Sequence, residues 1–259
     1  MALGDSQTEG VGDGDDIAGV RGLADRLAEM LAAANPDVEY ANLAVRGKLA
    51  AQVREEQLDA ARAMRPDIAT VIAGVNDVLR PRFDVEEVGR HLDAMFASLT
   101  VDGATVVTVT FPDLSRLVPI ARLVAGRIDV LNERIRQSAA RYGVLVAETG
   151  EHSVVTDPRL WTPDRLHASP LGHQRIAEAL AHALQLPGSS DSWTMPIEPP
   201  LGRRSVLAGA GTELRWLGTF LAPWLRRRLA GRSSADGRTA KRPHLAAVDI
   251  GSSQPNSRR

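Results

Sequence analysis

Residues Ile68–Asp77 read IATVIAGVND. Six uncharged, mostly apolar residues lead into a glycine and then into Asn-Asp. A run this short, bounded by a turn signal, is the pattern of a strand buried on both faces, as in a parallel sheet. Gly74-Val75-Asn76-Asp77 then falls at the carboxyl end of that strand, the edge on which α/β sheets gather their sites.

Working outward, the same alternation recurs on both sides. Upstream, Val38 to Val45 reads as a strand and Leu49 to Met64 as a helix stopped by Arg65-Pro66. Further upstream, Ile17, Val20, Leu23, Leu27, Met30 and Leu31 recur at helical spacing between Asp16 and Asn35, with Asp15 or Asp16 as the expected cap. Downstream, Val85 to Leu99 has helical period and Ala104 to Thr110 (ATVVTVT) is a β-branched strand. Ile120 to Tyr142 reads as a long amphipathic helix, Val144 to Ala147 as a last strand, and Pro170 to Leu184 as a last helix. Strand and helix repeated about five times predict a parallel sheet of about five strands covered by helices on both faces. Right-handed crossovers put all strand-to-helix loops on one edge.

Composition bounds the rest. The chain has 259 residues and is 44% hydrophobic, enough for one sizeable core. It has no cysteine, which excludes disulfides and thiolate metal sites and suits a reducing compartment. No apolar run approaches the roughly 18–20 residues of a membrane span, and no basic-then-apolar leader is visible, so the reading is cytoplasmic. Net charge is −1, but residues 201–259 carry +9 and the remainder −10. The expected organisation is therefore a catalytic domain at 1–186, a linker at 187–202, a basic amphipathic helical extension at 203–230 and a disordered tail at 231–259. Arg226-Arg227-Arg228 beside Trp216 and Trp224 suits packing on the acidic domain or peripheral contact with an anionic membrane. Nothing there suggests sequence-specific nucleic-acid binding.

Four loop segments carry polar residues to the predicted edge: Gly4-Asp5-Ser6, Asn42 to Gly47, Gly74 to Asp77, and Asp164 to His167. Acyl transfer needs a hydroxyl, a base for its proton, a group that orients the base, and donors for the developing oxyanion. Ser6 supplies a hydroxyl and His167 an imidazole suited to general acid–base work. Asp164, three residues before His167, can fix its tautomer. The backbone N–H groups of Ser6 and Gly47 and the Asn76 amide are neutral donors, each worth roughly 3–4 kcal/mol of barrier. Asp5 reads as a structural turn residue and His173 as a helix-surface histidine. Asp13, Asp15 and Asp16 miss the EF-hand pattern, and GVGDG (10–14) misses the dinucleotide fingerprint.

GDSQTEG (4–10), NLAVRG (42–47), GVND (74–77) and DRLH (164–167) resemble, in order, the Ser, Gly, Asn and His blocks of the SGNH hydrolases, or GDSL esterases/lipases. The resemblance spans residues 1 to about 184. It implies a flavodoxin-like three-layer α/β/α sandwich and a metal-independent serine esterase without a cofactor. By that resemblance Ser6 is nucleophile and oxyanion donor, Gly47 and Asn76 are oxyanion donors, and Asp164 and His167 complete a triad. The substrate expected is a small-molecule carboxylic ester or thioester. An acyltransferase with the same triad, or a silent hydrolase-fold binding protein tethered by its basic tail, are the alternatives. Pro112, Leu114, Leu117 and Trp161 are expected to wall the substrate site.

Overall fold

In the computed structural model, residues 1–116, 122, 124–200, 218–219 and 234–249 are described. The strand at the heart of the sheet is only three residues long: β1, Ala2–Gly4. It lies between β5 (Ile68–Ile72) and β4 (Glu39–Asn42), parallel to both, with Ala2 against Thr70 and Gly4 against Ile72. Beyond β5 come β6 (Thr105–Val109) and β7 (Leu145–Ala147), also parallel. The sheet order is β7-β6-β5-β1-β4-β8, where β8 is Arg242–Ala247.

The helices cover both faces. α2 (Leu23–Ala34) packs against α7 (Pro170–Ala183) on one side. On the other, α3 (Ala50–Ala63) and α6 (Ala125–Tyr142) flank α5 (Val85–Val101). The short turns α1 (Ser6–Glu9) and α4 (Val75–Val78) follow β1 and β5 directly. Leu92, Met95, Phe96, Leu99, Leu131, Ile135 and Leu180 are fully buried between the helices and the sheet. This is the expected three-layer α/β/α sandwich, here with six strands, five of them parallel.

Several sequence expectations change. The helix expected from Asp16 starts at Leu23. Ahead of it, β2 (Gly14–Asp15) and β3 (Gly19–Val20) form a small antiparallel hairpin. Asp15 does accept two backbone N–H bonds, from Ile17 and Ala18 at 2.7 Å each, but in the hairpin turn. Ile17 points fully into solvent, so its helical spacing from Leu23 is coincidental. The expected linker at 187–202 is partly docked: a 3₁₀ turn, Asp191–Thr194, buries Trp193 against α7 and stacks it edge-on with His152.

The expected disordered tail at 231–259 is wrong for its middle. β8 pairs antiparallel with β4, which would otherwise be an open edge. The cause is non-local: Arg242 donates to the Tyr40 carbonyl at 2.8 Å and sits over the Tyr40 ring at 5.3 Å. Pro243 is tolerated because β8 is the outermost strand. The basic helix expected at 203–230 lies, but for Gly218 and Thr219, outside the described residues.

His173 is not on the surface. It is fully buried, accepting at Nδ1 from the Leu23 N–H (3.2 Å) and donating from Nε2 to the Val11 carbonyl (3.1 Å). It thus joins α7 to the start of α2. Burial lowers its pKa to about 4 from 6.5. The unfolded chain takes up a proton in that window and the native protein does not. Stability is therefore full above about pH 6.5 and falls toward pH 4, by roughly 3 kcal/mol from this group. His173→Gln is expected to be less stable than the parent at pH 7. Chemical denaturation should show that gap narrowing by that amount at pH 4; a pH-independent gap would refute the assignment.

Candidate active site

Ser6, Gly47, Asn76, Asp164 and His167 all line one cleft of about 290 Å³ at the carboxyl edge of the sheet. Each of the four loop segments arrives there from a different element, as the topology requires.

The serine is held from below. Gly4, the last residue of β1, is clamped by Gln57 of α3: the Gly4 N–H donates to Gln57 Oε1 and Gln57 Nε2 to the Gly4 carbonyl, both at 2.9 Å. A Cβ on Gly4 would sit 2.5 Å from the Ile72 carbonyl oxygen, so only glycine lets β1 turn this close to β5. The chain then turns into α1 with Asp5 as cap, its Oδ1 accepting from the Gln7 N–H at 3.3 Å. Ser6 stands at the first position of that turn, 9% exposed.

Asp164 and His167 form a tight unit. Asp164 Oδ2 lies 2.8 Å from His167 Nδ1. Its Oδ1 accepts from the N–H groups of Leu166 (2.8 Å) and His167 (3.0 Å) and from the Thr162 hydroxyl (2.6 Å). Burial pushes this carboxyl up, but the His167 hydrogen bond and charge, with Thr162 and Leu166, hold it well below the usual carboxylate range. Asp164 is thus ionised at neutral pH and fixes which ring nitrogen carries the proton. Among the described residues no hydrogen bond joins Ser6 to His167; such contacts commonly tighten only with substrate.

Gln7, beside the serine, stitches the two loops together. Its Nε2 donates to the Leu166 carbonyl at 3.0 Å and its Oε1 accepts from the Ala168 N–H at 3.3 Å. Sequence reasoning missed both glutamines. Gln7 adjoins the serine and could have drawn notice; Gln57 has no local signal.

The Gly47 and Asn76 side of the cleft is equally braced. Gly47 has φ +79°, a left-handed conformation natural to glycine. The Arg46 N–H donates to Glu9 Oε2 at 2.6 Å and its guanidinium to Glu9 Oε1, fixing this loop to α1. Asn76 Nδ2 donates to Asp5 Oδ2 (3.0 Å) and to the Lys48 carbonyl (3.1 Å). Asp77 accepts from the Ala50 N–H at 3.0 Å, so the GVND turn is tied to the start of α3. Asp5 is fully buried. Burial pushes its pKa up to about 7 against the opposing bonds from Gln7 and Asn76 and the nearby His167.

The remaining walls are mainly apolar: Val75, Val78, Leu79, Phe111, Val124 and Ile128. Of the wall residues expected from sequence, Pro112, Leu114 and Trp161 are there, and Leu117 lies outside the described residues. The three early aspartates are engaged with protein: Asp13 with Arg26, Asp15 in its turn, and Asp16 with Arg46 and Arg238. Among the described residues no cluster of three or more His, Cys, Asp or Glu is placed to hold a metal ion, and no helix is long and apolar enough to cross a membrane.

The fold and the cleft define an ester hydrolase built on a three-layer sandwich. The chain belongs to the GDSL-like Lipase/Acylhydrolase family, whose model matches residues 2–175, and it is a hydrolase acting on small-molecule esters. No curated protein matches it. Among solved structures it is similar to an acetylxylan esterase, Axe2, from Geobacillus stearothermophilus (19% identity, TM-score 0.60, covering 73% of this chain and 95% of that one). LAE5, an α/β hydrolase enzyme from the metagenome of Lake Arreo, Spain, is similar at 23% identity and TM-score 0.58, covering 71% and 93%. TesA follows at 20% identity and TM-score 0.59, covering 71% and 96%.

Proposed function

We propose that the chain hydrolyses a carboxylic ester or thioester with a short or medium acyl chain, through an acyl-enzyme on Ser6. The observation that carries this reading is the convergence of Ser6, Gly47, Asn76 and the Asp164–His167 pair on one cleft. His167 accepts the Ser6 proton as Oγ attacks the carbonyl, and Asp164 stabilises the imidazolium that forms. The N–H groups of Ser6 and Gly47 and the Asn76 amide receive the oxyanion, Asn76 exchanging its Lys48 contact for the substrate oxygen. His167 then gives its proton to the leaving group, and water repeats the steps in reverse. The Asp5 carboxylate holds the other Asn76 N–H, keeping the amide facing the cleft throughout. Val78, Phe111 and Ile128 supply apolar surface for the acyl chain.

A fluorophosphonate probe tests the nucleophile directly. Stoichiometric labelling is expected, with peptide mass spectrometry placing the adduct on Ser6. An intact, folded protein that remains unlabelled, or an adduct on another residue, would overturn the reading.

A further inference from the structure

The ester cleft has a wall that the family match does not cover. That match ends at residue 175, yet Ser234 lines the cleft with Ser6 and Gly47. The segment behind Ser234 is fastened in steps from the sheet edge inward. β8 is paired to β4. Before it, Lys241 Nζ reaches Asp25 Oδ2 at 2.5 Å and the Val20 carbonyl at 3.0 Å. Three residues earlier, Arg238 donates to both oxygens of Asp16, at 3.2 and 2.6 Å. Asp16 also binds Arg46 Nη1 at 3.0 Å, and Arg46 immediately precedes Gly47.

These contacts limit where Ser234 can go. The Arg238–Asp16 pair is partly exposed and screened by solvent, so it is a latch, while the β8 ladder and Lys241 are the anchor. Four residues span at most about 14 Å when fully extended, so the latch keeps Ser234 near the Gly47 loop. Acidic residues of the hairpin and α2 meet cations of the returning segment, which matches the opposite net charges of the two parts of the chain.

We propose that Ser234, held at the ester cleft by the fastened segment 235–241, is a specificity-determining wall residue that limits the bulk of the ester admitted. The proposal rests on reading that cleft as the ester site. It places a specificity element in a part of the chain outside the family's shared core.

The cysteine-free sequence allows a clean test in the full-length protein. Ser234→Cys introduces a single thiol, which is modified with methyl methanethiosulfonate or with pyrene maleimide. Hydrolysis of nitrophenyl acetate and nitrophenyl decanoate is then measured. The pyrene adduct is expected to lower kcat/KM for the decanoate at least tenfold and for the acetate less than threefold, with the small adduct between it and the unmodified protein. The same label on an Asp59→Cys protein, at an exposed position of α3, is expected to change neither. In the unlabelled protein, Arg238→Glu should repel Asp16 and raise the decanoate-to-acetate ratio at least threefold, with Arg238→Lys close to the parent. Unchanged or equally reduced turnover of both esters on labelling the Ser234→Cys protein, a comparable loss on labelling the Asp59→Cys protein, or an unchanged ratio in Arg238→Glu would each overturn the proposal. Failure of the nucleophile assignment would show separately, as a fluorophosphonate adduct away from Ser6.

Discussion

Ser6→Ala is expected to lower kcat at least about 10³-fold toward any ester the parent hydrolyses, with the fold and thermal stability nearly unchanged. The change is small. One hydroxyl is lost from a residue whose backbone is fixed by neighbours, the Gly4 clamp of Gln57 and the Asp5 cap. The sheet therefore has no reason to move. What goes is the covalent route: water would have to attack directly, with only the oxyanion donors and binding left to help. Steady-state kinetics alongside a thermal melt makes the separation. A purified Ser6→Ala protein that keeps parental turnover would end the assignment of Ser6.

Asp164→Asn is expected to cost about 10⁴-fold in kcat, as in serine hydrolases where the orienting carboxylate is replaced by its amide. Asp164 Oδ2 faces His167 Nδ1, so the parent imidazole carries its proton on that nitrogen and offers a lone pair at Nε2. An amide NH₂ at the same place would donate to Nδ1 and reverse the tautomer. The other carboxyl oxygen accepts three bonds, from Thr162, Leu166 and His167, and the amide carbonyl can keep those. The loop should therefore hold its shape while the chemistry fails. Near-parental turnover in Asp164→Asn, with the fold intact by circular dichroism, would refute the proposed role.

Much of this architecture is legible because the signals are local. IATVIA and ATVVTVT can form little but buried strands, and α3, α5 and α7 begin and end within about two residues of their periodic patterns. The four site segments are legible because each ends or begins such an element. Where reading fails, the deciding contact is distant. Arg242 makes a strand of a polar, proline-containing stretch only because Tyr40 is there to meet it. His173 looks like one more polar position on a helix until Leu23 and Val11 close over it. The Asp16 helix start fails for a different reason: Ile17 and Val20 fit a 3.6-residue period by accident, and Gly19, at φ +90°, turns the chain back.

The shortness of β1 has a consequence for biosynthesis. Residues 2–4 find their partners at 42 and at 70–72, so they leave the ribosome long before those positions exist. At roughly 5–20 residues per second the delay is about 4–14 s, during which the Gly-Asp-Ser turn has no sheet to lean on. A nascent chain that ends before residue 72 lacks the β5 neighbour of this turn, and one that ends before residue 167 also lacks the imidazole of the cleft.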